Sequence, residues 1–193
     1  MKLLSYSHPS MRNGSTSFGA VTDTASPTAS IVDLSTRMPG VRNLSDLIAQ
    51  QRVDEARSIV ETASPNPTVD VALSGVTYER TLPSPGKIFC IGVNYGGRNA
   101  EYKDGQDAPT KPSVFVRFPS SFTGHDQSLI RPPESPQLDY EGEIVAVIGT
   151  GGRRITRADA RHHIAGLTLG NEGTIRDWVR HAKFNVTQGK NWQ

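Results

Sequence analysis

Short strand-like runs alternate with polar turns in the first third of the chain. Lys2–Tyr6, Ser17–Val21 and Ser30–Leu34 read as strands, separated by segments rich in Ser, Thr, Asn, Gly and Pro. Pro9–Thr16 and Asp23–Thr28 are poor in apolar residues and read as loops. Two helices are predicted next: one over Asp46–Gln50 capped by Ser45, and one over Val53–Thr62 with apolar residues at Val53, Ala56, Ile59 and Val60. Pro65-Asn-Pro67 breaks this pattern, and Pro83-Ser-Pro85-Gly86 marks a second linker. The domain boundary is placed there, giving a small domain over residues 1–82 and a second over residues 87–193.

Beyond the linker most predicted elements are strands. Lys87–Val93 is a near-continuous apolar run, consistent with a strand covered on both faces, and Ser113–Phe118 is another. Leu138–Gly149 is a third, read as buried and ending in a Gly149-Thr-Gly-Gly turn. Thr156 with Asp159 resembles a capping box with Asp in place of Glu, starting a helix that runs through Ile164 and is ended by Gly166. Leu167–Leu169 then delivers Asn171 and Glu172. No internal repeat is found.

The chemistry starts with Glu141 and Glu143 on the third of these strands. Side chains at i and i+2 of a strand share a face, with backbones roughly 6.5 Å apart. Two carboxylates aimed at one face of an apolar strand repel each other and lose hydration. A hard divalent cation such as Mg²⁺ or Mn²⁺ removes both penalties. Glu172 adds a third carboxylate at the end of its own apolar strand. An isolated Glu-x-Glu reads as a solvated edge; the apolar context of both strands favours the metal.

Composition narrows the alternatives. A net charge of +2 is too small to imply nucleic acid or membrane, although residues 151–193 hold eight Lys/Arg against three Asp/Glu. Cys90 is the only cysteine, so an intrachain disulfide is excluded. The start lacks the apolar run of a signal peptide, and no stretch approaches a membrane span. A soluble, cytoplasmic protein is expected.

Four motifs in order resemble the fumarylacetoacetate hydrolase family: Lys-Ile-Phe-Cys-Ile-Gly-Val-Asn-Tyr from Lys87, Pro-Ser-Val-Phe-Val-Arg-Phe from Pro112, Leu-Asp-Tyr-Glu-Gly-Glu-Ile-Val-Ala-Val-Ile-Gly from Leu138, and Gly-Asn-Glu-Gly-Thr-Ile-Arg-Asp-Trp from Gly170, followed by Gln-Gly-Lys-Asn. The resemblance implies an α+β, mainly β fold: a mixed β-roll catalytic domain, incomplete here, preceded by a small α+β N-terminal domain. It implies Mg²⁺ or Mn²⁺ held by Glu141, Glu143 and Glu172, the last standing where many members have Asp. Lys190 falls on the family's catalytic lysine, and Arg176 with Asp177 on the pair that organises the third ligand. Tyr95 and the segment after it match the active-site lid, and His125 follows the family's Gly-His turn; Tyr95, His125 and Arg176 are assigned to substrate. A small 2-oxo acid would chelate the ion, which stabilises the enolate formed when a neighbouring bond breaks. Hydrolytic C–C cleavage, isomerisation, hydration and decarboxylation all fit, as does a homodimer for the complete protein. Neither nucleic acid nor membrane is an expected partner.

Two departures from the family pattern stand out. Where members carry Asn-Tyr-x-x-His-x-x-Glu, this chain has Arg98 at the His position and keeps Glu101. Imidazole takes a proton from water near neutral pH, whereas guanidinium stays protonated. Arg98 therefore either binds a substrate carboxylate or pairs with Glu101. Second, the sequence stops at Gln193, just after the Lys190 motif, where relatives continue. Strands without partners expose edges, so instability in isolation is expected. The competing readings are a relic that retains the ligands or partners a full-length relative, and nucleic-acid binding through the basic C-terminal stretch, which no motif supports. His162-His163 and the nearby arginines read as a solvated basic face, Cys90 as core, and His181 as exposed or anion-binding.

Overall fold

The structure, a computed structural model, describes residues 1–11, 14–22, 28–64, 70–97, 105, 107, 110–181 and 186–192. Most described elements are strands, and the chain divides into two compact units. The first comprises Met1–Ser84, Thr123–Leu129 and Gly142–Gly170; the second comprises Pro85–Phe122, Ile130–Glu141 and Asn171–Gln193.

The first unit is built on an antiparallel sheet of β1 (Lys2–Ser7), β2 (Ser17–Val21), β3 (Ser30–Asp33), β4 (Val71–Ala72) and β5 (Thr77–Tyr78), in the order β4-β3-β2-β1-β5. Strand alternation sends Leu4, Tyr6 and Ile31 into one cluster. Phe18 joins Leu34, Met38, Val41, Leu44, Leu47 and Ala56 in another, beneath helices α1 (Leu44–Ala49) and α2 (Val53–Thr62). Asp33 is buried beside these clusters, and the hydroxyls of Tyr6 and Ser17 donate to its Oδ2 at 2.6 and 2.5 Å. A Cβ on Gly19 would lie 2.5 Å from both Ile31 Cγ2 and Val32 O, so this strand crossing admits only glycine without a shift.

The predicted β1, β2 and α2 agree with the structure to within a residue. The cap of α1 does not. Asn43, not Ser45, holds the cap position, and its side-chain oxygen accepts from Asp46 N at 3.0 Å. Ser45 already lies within the helix, where its hydroxyl accepts from Ser84 N at 3.1 Å. Pro65–Pro67 and most of Asp23–Thr28 lie outside the described residues.

The first unit also contains β9 (Gly142–Ile148) and β10 (Ile164–Asn171) up to Gly170, which pair as a hairpin. The helix predicted from Thr156 is absent as such. Its capping contacts do form, since Thr156 Oγ1 donates to Asp159 Oδ2 at 2.6 Å and accepts from Asp159 N at 3.2 Å. They start only a turn and a short 3-10 segment, Ala160–His163, before Ile164 enters β10. Pairing with β9 outweighs the local helix signal, and Gly166 lies inside a strand rather than at a helix end. Arg153, Arg154, Arg157 and Arg161 are exposed, as a solvated basic face requires.

In the second unit β6 (Phe89–Gly92) pairs with β7 (Ser113–Val116), and β8 (Leu138–Asp139) with β11 (Thr174–Ile175), both antiparallel. Helix α3 (Val186–Lys190) follows. Leu138–Gly149 is therefore two strands interrupted at Tyr140-Glu141, not one. Nor are these apolar runs buried: Phe89 is 61% exposed and Ile144 70%. Among the described residues β6, β7, β9 and β10 each have a single neighbour in a two-stranded sheet, so one pairing edge is open and much of the apolar face is exposed, whereas Thr174 and Ile175 of β11 are buried.

Candidate metal centre

The break after β8 is what brings the acidic residues together. Glu141 lies in the interruption and Glu172 directly after β10, and the chain closes between them: Glu172 N donates to Glu141 O at 2.7 Å, while Glu141 N donates to Asn171 Oδ1 at 3.1 Å. Glu143 stands two residues along the chain from Glu141. One carboxylate oxygen from each of Glu141, Glu143 and Glu172 lies within 4.8 Å of the others. An all-oxygen donor set of three carboxylates suits a hard divalent ion. This cluster can hold a metal.

Among the described residues, three cations of the second unit pair with Glu141 and Glu172. Lys190 ends α3 and is 5% exposed; its Nζ lies 2.8 Å from Glu141 Oε2 and 3.4 Å from Glu172 Oε1. Gly189 makes that approach possible, because a Cβ there would sit 2.7 Å from Ile175 O. Arg176 spans two carboxylates, with Nε 2.8 Å from Asp139 Oδ2 and Nη1 2.8 Å from Glu141 Oε1. Arg117 is buried just past β7; its Nε donates to Glu172 Oε1 at 3.3 Å and its Nη2 to Gly173 O. Thr174 Oγ1 adds a hydrogen bond to Glu141 Oε1 at 3.0 Å.

These partners set the protonation of Glu141. Burial pushes the Glu141 carboxyl up, but hydrogen bonds and charge from Lys190, with Arg176 and Thr174, outweigh it and hold the group below its ordinary value of 4.5. The hydrogen bond from Arg176 likewise keeps Asp139 low. Both are anionic at neutral pH. Cys90, half-buried on β6, behaves oppositely: burial and then the Glu172 charge push its thiol up to about 12. It is a poor nucleophile there, although it is half-buried rather than part of either core cluster.

Asp177 caps its own turn, accepting from Ser135 Oγ at 2.6 Å and from Trp178 N at 3.1 Å. Tyr95 is exposed. His125 belongs to the first unit, where it stands edge-on to Tyr78 at 5.1 Å, beside Asp126. Arg98 and Glu101 lie outside the described residues. Sequence reasoning assigned no role to Arg117, Asp139 or Thr174. Arg117 carried a signal all the same, as the one charged residue in the apolar run Ser113–Phe118.

Comparison with known proteins bears on this arrangement. The family model described as "Fumarylacetoacetate (FAA) hydrolase C-terminal" matches residues 87–193. The chain is similar to oxaloacetate tautomerase YisK of Bacillus subtilis, 39% identical over 141 residues that cover 69% of this chain and 47% of that protein. It is also similar to the homoprotocatechuate catabolism bifunctional isomerase/decarboxylase of Escherichia coli, 36% identical over 134 residues, or 66% of this chain and 30% of that protein. The crystal structure of 5-carboxymethyl-2-hydroxymuconate delta-isomerase from Mycobacterium smegmatis shares the fold: TM-score 0.69 at 19% identity, covering 100% of this chain and 62% of that one. The chain thus spans about half the length, or less, of the curated relatives it matches. No described helix is long and apolar enough to cross a membrane.

Proposed function

The chain belongs to the fumarylacetoacetate hydrolase family, and we propose that it carries the metal-binding part of an enzyme that moves protons on a small 2-oxo acid, a tautomerase or isomerase. The observation that carries this reading is the convergence of the Glu141, Glu143 and Glu172 carboxylates within 4.8 Å. These three residues would hold Mg²⁺ or Mn²⁺. Such an ion supplies Lewis acidity to the carboxylate and ketone oxygens of a 2-oxo acid, which lowers the cost of negative charge as a neighbouring C–H bond breaks.

The chain's own residues do the rest. Arg117 and Arg176 fix the orientation of Glu172 and Glu141, each anchored to a second acceptor, Gly173 O and Asp139 Oδ2. Lys190 presents a cation to charge that develops on the substrate. Glu101 takes or returns the proton, and Tyr95, His125 and Arg176 bind substrate. Arg98 favours proton transfer within the substrate over hydrolysis, because guanidinium does not accept a proton from water. Residues 1–82 form the leading small domain and residues 87–193 belong to the catalytic domain. The tautomerase and isomerase names of the relatives support the same reading.

The direct test follows enol-to-keto conversion of oxaloacetate by ultraviolet absorbance, with Mg²⁺, with Mn²⁺ and with excess chelator. Turnover is expected with either ion and is lost in chelator and in Glu141→Gln/Glu143→Gln. Turnover indifferent to both would refute the metal reading.

A further inference from the structure

We propose that Lys190 is the internal counter-cation of the carboxylate cluster, that it competes with a divalent ion for the same oxygens, and that loading the ion displaces its ammonium from them. The inference rests on the metal reading above and adds how this chain responds when an ion enters.

The geometry supplies the competition. A single ammonium spans two of the three candidate ligands, at 2.8 Å from Glu141 Oε2 and 3.4 Å from Glu172 Oε1. The side chain is nearly buried, so solvent does little to weaken the pair. The other Glu141 oxygen offers no easy alternative, since Oε1 accepts from Thr174 at 3.0 Å and from Arg176 at 2.8 Å. Glu172 Oε1 is shared between Lys190 and Arg117. A carboxylate has about four lone-pair sites in all. An ion that draws on Glu141 and Glu172 therefore meets oxygens that Lys190 already holds, and two cations on shared oxygens repel.

Of the three cations, Lys190 is the one built to give way. Arg117 and Arg176 each hold a second acceptor, Gly173 O and Asp139 Oδ2, which pins the guanidinium in place. The only ion pairs of Lys190 among the described residues are with two of the candidate ligands, Glu141 and Glu172. Its stem is flexible and carries a compact charge. The Phe115 ring lies 5.1 Å from Nζ and offers a second resting place on a π-face. The backbone stays put, because Gly189 is wedged against Ile175 O and Val179. Displacement is thus a side-chain movement.

Mn²⁺ titration of the whole chain by calorimetry tests the competition, with Glu141→Gln/Glu143→Gln as the site control. Lys190→Met and Lys190→Gln are expected to bind Mn²⁺ about tenfold more tightly than the parent, the factor that corresponds to one charge-assisted hydrogen bond exchanged. A second measurement needs no variant at Lys190. Acetylation of Lys190 by brief acetic anhydride treatment, read by peptide mass, should accelerate severalfold when Mg²⁺ is added, and should not accelerate in the site control. Unchanged or weaker Mn²⁺ binding in both Lys190 variants, or labelling that does not rise with Mg²⁺, overturns the proposal and leaves the metal site standing. If the parent binds no Mn²⁺, or the site control binds as well as the parent, the metal reading falls and this inference with it.

Discussion

Replacing Arg117 by Met keeps the length of the side chain and removes its charge. The guanidinium side chain is only 3% exposed, and its partner Glu172 is also buried. At the observed 3.3 Å the Coulomb term is about 5 kcal/mol at an effective dielectric of about 20. Two features reduce the net loss: the separation is long for a charge-assisted bond, and Lys190 still reaches Glu172 at 3.4 Å. One feature raises it, because the Gly173 carbonyl loses its Arg117 donor while buried. The balance is a destabilisation of about 3 kcal/mol, at the lower edge of what breaking a buried pair costs. Urea unfolding by circular dichroism in chelator measures it, and Arg117→Met/Glu172→Gln completes a double-mutant cycle. The double variant should recover at least about 1.5 kcal/mol of the single loss. A single-variant loss below about 1 kcal/mol, or a coupling near zero, would show that Arg117 does not hold Glu172.

Three shorter predictions follow. Asn43→Ala should lower stability by about 1 kcal/mol in the same urea assay, while Ser45→Ala changes it little, since only Asn43 caps α1. Cys90 should react with an aromatic disulfide reagent at neutral pH far more slowly in the folded chain than in urea, because its thiol is pushed up to about 12; equal rates would contradict its burial. The folded pKa of Glu141 is lowered below its ordinary 4.5, so its contribution is present above that value and is lost as pH falls through the folded one. In chelator, acid should therefore destabilise the parent more steeply than Glu141→Gln below pH 4.5, and parallel acid titrations would contradict the Lys190 pairing.

How much of this was legible in the sequence follows the range of the forces involved. β1, β2 and α2 were read closely because their signals lie in adjacent residues, such as the apolar spacing of Val53, Ala56 and Ile59. The Thr156–Asp159 motif shows where local reading stops. Its hydrogen bonds formed, yet pairing of Ile164–Asn171 with β9 decided the segment. Glu141 and Glu143 stood out by charge contrast, but the break at Tyr140-Glu141 depends on β8 and β9 taking different partners. The cations were harder still. Lys190 and Glu141 are 49 residues apart, and Arg117 and Glu172 are 55, so neither pair leaves a periodic trace. Lys190 was found only by resemblance, and Arg117 stood in plain view without a partner to explain it.

The backbone bond from Glu172 N to Glu141 O has one more implication. It seals the neck of an excursion whose far end is the loop between β9 and β10. Ligand spacing at the neck is thereby decoupled from the length and composition of that loop. Evolution, or an engineer inserting a tag between Gly151 and Arg161, can rewrite the loop as a surface module while Glu141 and Glu172 keep their distance.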